Sequence, residues 1–351
     1  MSEDKILRWC RILQSQKDWP RDDAKIENVW NPVRKDLTVA DQVTLLTRLV
    51  ERDYVFKWLK LISHLLPDLS SKDYNFVALL EIVIDKIKGD MAQGDFIRSL
   101  INIGERYPEK GVELYSFIVD VSNDLTITYA GLLLGGAARQ RFSEVFNIVE
   151  RDLKKDRMSV KVACLKALRV AFETEGEVEF PSKILDILEN MWEIEDPSLR
   201  TEIIQGYVDF RHYNPEVCEH KLLEIAEGGS SSERLTITNK LWFENLEDRA
   251  IEIQILYICS EDDNINVLTS VVTILSQKGQ AFLEDGLEMV RKMLKKGLLH
   301  HIPNLEYAVK KLCENNLKGC QETFEKWGAD PDLAFRFRVK TLKDRLDIFQ
   351  E

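Results

Sequence analysis

A chain of 351 residues, 44% of them hydrophobic, can bury a large core and is too apolar for wholesale disorder. Its formal charge of −12 excludes a surface that coats nucleic acid, which needs concentrated positive charge, but leaves room for a local basic face. Sixteen glycines and nine prolines supply little turn material for many short strands, and no Asn-Gly pair occurs, so an all-β fold is a poor reading.

In chain order, residues 1–90 read as an irregular helical N-terminal portion, 91–299 as repeats, and 300–351 as basic capping helices, all in one continuous unit. The opening Met1-Ser-Glu-Asp-Lys lacks the basic-then-apolar layout of a secretion signal. No apolar run approaches a membrane span, so the expected setting is cytoplasmic. Gly131-Leu-Leu-Leu-Gly-Gly136 is apolar and reads as close helix packing rather than a phosphate cradle. Glu173 to Phe180 is an acidic joint. In Ile184 to Trp192, residues 184, 187, 188 and 191 mark one helical face, flanked by Leu185 and Trp192.

Asp196-Pro197, Asn214-Pro215 and Asp330-Pro331 each set a side-chain acceptor before a proline, the signature of an N-cap. Gly228-Gly-Ser-Ser-Ser232 reads as a helix stop and a serine cap. The apolar stripe from Ile265 to Leu275 is wide enough to need neighbours on two sides. Asp285-Gly286 runs straight into a helix. At the end, an amphipathic capping helix is expected to bury Leu333, Phe337, Leu342 and Leu346.

Recurrence is the more informative signal. Segments beginning at Asp124, Arg157 and Asp196 share a polar turn, an aliphatic residue and an apolar helix containing a small residue. Ser231 to Leu241 and Asp263 to Thr273 follow more loosely, at a spacing near 33–40 residues. Val160-Lys161 and Leu199-Arg200, just inside such helices, resemble the second helix of HEAT repeats. That resemblance covers about residues 90–300. It implies an all-α fold, a right-handed α-α superhelix of about eight or nine helix pairs. It also implies links between neighbouring repeats from a turn Asp to an early Arg or Lys.

Candidate chemistry is sparse. Neither a Gly-x-Ser-x-Gly elbow nor a P-loop occurs. His212, Cys218 and His220, and the pair His300-His301, lack a second set of ligands, so no metal, cofactor or catalytic residue is expected. The six cysteines are scattered and read as reduced and structural. Trp192 and Trp242 lie in repeat helices. A class of alkylpurine DNA glycosylases built from HEAT-like repeats uses tryptophans and an acid in a basic groove, but these two sit in an acidic stretch.

That stretch is the strongest asymmetry. Residues 172–263 hold 23 Asp or Glu against 7 Lys or Arg, whereas 291–345 hold 13 basic and 7 acidic residues. The expected function is a non-enzymatic scaffold whose acidic surface holds a basic protein segment. Its candidate contacts are Glu189, Glu193, Glu195, Glu202, Asp209, Glu216, Glu219 and Glu224. The alternative is nucleic-acid binding through Phe335-Arg-Phe-Arg338 and its neighbours, with Arg336, Arg338, Lys340, Lys343 and Arg345 as phosphate contacts. Oligomeric state is left open, with head-to-tail pairing of acidic middle and basic end as a third reading.

Overall fold

The computed structural model describes residues 2–15, 23–52, 55–71, 74–87, 93–172, 181–279, 282–297 and 302–346. The Glu173–Phe180 joint and the His300-His301 pair lie outside them. The described residues form twenty α-helices and no strand. They are α1 Ser2–Gln14, α2 Asp23–Asp36, α3 Val39–Arg52, α4 Phe56–Leu69, α5 Tyr74–Ile87, α6 Gln93–Arg106, α7 Pro108–Val121, α8 Asp124–Ala138, α9 Phe142–Asp152 and α10 Met158–Phe172. There follow α11 Pro181–Trp192, α12 Pro197–Phe210, α13 Pro215–Gly228, α14 Ser231–Leu241, α15 Arg249–Cys259, α16 Ile265–Lys278, α17 Leu283–Lys295, α18 Leu305–Cys313, α19 Leu317–Gly328 and α20 Leu333–Arg345. No described helix is long and apolar enough to cross a membrane.

The chain divides into two compact units, Met1–Asp186 and Ile187–Glu351. Within the first, helices pack on the next but one: α1 on α3 and α3 on α5, and α4 on α6, α6 on α8 and α8 on α10. The second repeats the scheme, with α12, α14, α16 and α18 in one row and α13, α15 and α17 in another. Such rows arise when each two-helix unit buries its apolar stripes against the unit before and after it. Polar ties between helices keep the same register. Arg139 reaches Glu105 at 3.2 Å and Arg157 reaches Asp124 at 2.8 Å, 34 and 33 residues apart. Arg200 reaches Glu233 at 2.8 Å and Arg211 reaches Glu244 at 2.7 Å, each 33 residues apart.

Close packing is most extreme around α8, in which every residue from Ala130 to Ala138 is buried. A Cβ on Gly136 would lie 2.0 Å from the Ile101 carbonyl oxygen of α6, and one on Gly131 would lie 2.2 Å from the Ala163 carbonyl of α10. Glycine is required there because the neighbouring backbones already occupy the space. The glycine run from 131 to 136 is thus a packing seam, as the sequence implies.

Local signals set most helix starts. Asp196 accepts from the Leu199 amide and Asn214 from the Val217 amide, each just before a proline at the first helical position. α13 stops at Gly228, and Ser230 with Glu233 forms a capping box for α14. Asp330-Pro331 is a correction. Asp330 accepts from the Asp332 amide, and Asp332 caps α20 by accepting from Ala334 and Phe335. The inward face of α20 is also a correction. Phe335, Val339, Leu342 and Leu346 are buried, whereas Leu333 and Phe337 face solvent, 72% and 69% exposed.

The cysteines fall on apolar helix faces, and Cys10, Cys164, Cys218 and Cys259 are buried free thiols. Burial pushes Cys164, Cys218 and Cys259 up to about 12.

Candidate functional site

The eight acidic residues proposed from sequence separate into three groups. Glu202 and Glu219 are buried. The Glu219 carboxylate accepts the backbone N–H groups of Glu247 and Asp248 at 2.5 and 2.9 Å, so it pins the α14–α15 connection rather than meeting solvent. Asp209 is held by Lys240 at 2.8 Å, and Glu224 pairs with Lys221 at 3.0 Å on the surface of α13. Glu189, Glu193, Glu195 and Glu216 are exposed and form no ion pair among the described residues. Glu227, at the end of α13, joins them.

Their lack of counter-charge has a specific origin. Six Lys or Arg residues lie between 187 and 263, and all are engaged elsewhere. Arg200 pairs with Glu233 while stacking on Trp192, 4.7 Å from the ring centre. Arg211 and Arg234 reach Glu244 and Asp262. Lys240 and Lys221 hold Asp209 and Glu224, and Arg249 lies 4.1 Å over the Phe282 ring. All of these cations but Lys221, whose partner lies in its own helix, tie one part of the stack to another, and the surplus of carboxylates is left pointing outward.

The carboxyls of two inward pairs are held below their ordinary values. Burial alone would raise the Glu233 carboxyl, but the Ser230 amide and hydroxyl and the Arg200 guanidinium hold it below its ordinary value. Asp262 is likewise raised by burial yet net lowered by the Asn264 amide, Arg234 and Ser231.

Between the start of α12 and the start of α14 lies a cavity of about 450 Å³, lined by Glu195, Pro197, Arg200, Thr201, Ser230, Ser232 and Glu233. Sequence reasoning missed it, because its walls come from two separate segments, one at the start of α12 and one at the start of α14. It also missed Phe243, which is 78% exposed after α14 and stacks on Trp242 at 5.0 Å. An aromatic pair directly behind the last apolar position of α14 was the available clue. Trp192 is covered by the Arg200 guanidinium, and Trp242 by the exposed Phe243. Glu195, on the Arg200 cavity, and Glu244 stand close in sequence to them.

The C-terminal cations are mostly committed. Arg338 donates to the Lys295 carbonyl at 3.1 Å, and Arg345 pairs with Glu306 at 2.6 Å. Lys343 also has an interaction within the fold. Phe335 is buried beside Trp327, so the two phenylalanines of Phe335-Arg-Phe-Arg338 do not form one stacking platform. Arg336 and Lys340 make no ion pair among the described residues.

His212 and His220 are exposed, whereas Cys218 between them is buried. The His212 ring nitrogen lies 4.0 Å from Glu247, and that of His220 contacts the Glu216 carbonyl. No group of three or more His, Cys, Asp or Glu residues is arranged to hold a metal among the described residues. No protein-family profile matches the chain, and no curated protein matches it.

Proposed function

We propose that this chain is a HEAT-like helical-repeat scaffold, a non-enzymatic cytoplasmic protein whose acidic face binds a basic protein segment. One observation carries the reading: every Lys and Arg between 187 and 263 is spent on a contact within the fold, while Glu189, Glu193, Glu195, Glu216 and Glu227 remain exposed without an ion partner among the described residues. Unpaired surface carboxylates attract a cationic segment through the screened Coulomb field, so they set association rate and selectivity more than residence time. The packing of helices on the next but one, with ties 31–33 residues apart, supports the repeat reading, and the right-handed superhelix is what the HEAT resemblance implies.

The test is fluorescence anisotropy of a labelled lysine-rich peptide against the full chain. Binding is expected to weaken as salt rises, and the triple reversal E189K/E193K/E216K is expected to weaken it about tenfold or more. Unchanged affinity in that variant, with helicity intact by circular dichroism, overturns the proposal.

A further inference from the structure

α20 carries two apolar stripes and buries only one. Leu333 and Phe337, one turn apart on the outer face, are among the most exposed large apolar side chains of the described residues. Arg336 and Lys340 follow them by three residues, Lys340 exposed on that face and Arg336 half-buried at its flank. Neither cation has an ion partner among the described residues, although Arg291, Lys292, Lys295, Lys296 and Arg345 nearby all do. An apolar pair framed by two unpaired cations fits a partner surface that is apolar at its centre and acidic at its rim.

The same chain carries a hollow with an acidic rim. The cavity beside Arg200 is walled by Pro197 and Thr201 together with Ser230, Ser232 and the Arg200–Glu233 pair, and has the unpaired Glu195 at its edge, with Glu193 two residues earlier. We propose that Phe337 of one copy enters this cavity on a second copy, placing Arg336 and Lys340 against Glu193 and Glu195. The inference rests on the acidic face being the binding surface and names the chain's own α20 as the basic segment. Because the two patches differ, the contact is head-to-tail and builds open chains unless its rotation closes a ring. A single helix face buries less area than a standard stable interface, so the association is weak and salt-sensitive.

Sedimentation velocity of the full chain over a concentration series, at about 50 mM and about 500 mM salt, tests this. The expected result is a sedimentation coefficient that climbs with concentration in low salt and stays flat in high salt. F337D and E193K/E195K should each remain monomeric, with circular dichroism unchanged because all three positions are exposed. An equimolar mixture should give a two-chain complex and nothing larger, since each variant retains the half that the other lacks. S232W, which fills the cavity from its rim without altering charge, should also abolish assembly. A wild-type chain that stays monomeric throughout, assembly that survives F337D or E193K/E195K, or a mixture that stays monomeric overturns the proposal. If the wild-type chain binds the lysine-rich peptide yet never assembles, only this inference fails. Peptide binding that survives E189K/E193K/E216K instead removes the reading beneath it.

Discussion

Around α8 the helices of the first unit touch backbone to backbone, while the rows of α12, α14 and α16 in the second are spaced by side chains and tied by charge. Gly131 and Gly136 leave no room between α8 and its neighbours, whereas Gly206 of α12 meets only the flexible end of Leu188, 3.1 Å from where its Cβ would stand. The first unit carries charge too, but at the ends of α8, where Arg139 meets Glu105 and Arg157 meets Asp124, and not along the glycine seam. The second places Glu233 and Asp262 at its contacts, each held ionised by hydrogen bonds and a guanidinium. The glycine seam of α8 therefore answers chiefly to steric change, and the contacts at Glu233 and Asp262 to protonation and the loss of a charge partner. The charged region is also the one whose cations are drawn inward, so internal ties and an acidic exterior have a common cause.

The comparison breaks most directly at Gly136. Valine there must displace the Ile101 carbonyl of α6, and a loss of about 3 kcal/mol or more is expected in urea unfolding. A loss below about 1 kcal/mol would mean that α6 and α8 part easily, and the contrast would collapse. In the second unit, D262A strips Arg234, Ser231 and the Asn264 amide of a shared buried partner. It should cost about 3 kcal/mol, because a guanidinium is left without its carboxylate.

Acid sharpens the same point. Glu233 and Asp262 have folded pKa values below their unfolded ones, so the stability they add is complete above the ordinary carboxylate range. It is lost as pH falls through the depressed folded values. Denaturation midpoints should therefore drop below about pH 4, with a shallower fall in D262N. An equal slope in D262N would assign the acid sensitivity elsewhere. The smallest effect is expected from G206A, within about 1 kcal/mol of wild type, since Leu188 can yield and alanine favours helix.

Most helices are legible from local pattern, because stripes and caps are local physics. The stripe from Ile184 to Trp192 lies in α11, that from Ile265 to Leu275 in α16, and the glycine–serine joint separates α13 from α14. The glycine run was readable because an apolar segment with three glycines has few uses besides close approach. What failed was the choice between equally regular alternatives. α20 holds one stripe at 333 and 337 and another at 335, 339, 342 and 346, and only contact with α17 and α19 selects the second. Asp330 and Asp332 were rival caps for the same reason. Among the acids, Glu219 is indistinguishable in composition from Glu216. Its burial follows from the connection at Glu247 and Asp248, 28 and 29 residues away, which no local window contains.

The buried thiols of α10, α13 and α15 have a practical corollary. With burial holding Cys164, Cys218 and Cys259 well above the ordinary thiol range, the thiolate is scarce at each of them at neutral pH. Alkylation of the intact protein therefore waits for its helices to open. The rate at which iodoacetamide marks each cysteine becomes a stopwatch for breathing, one for the first unit and two for the second, with no label to engineer.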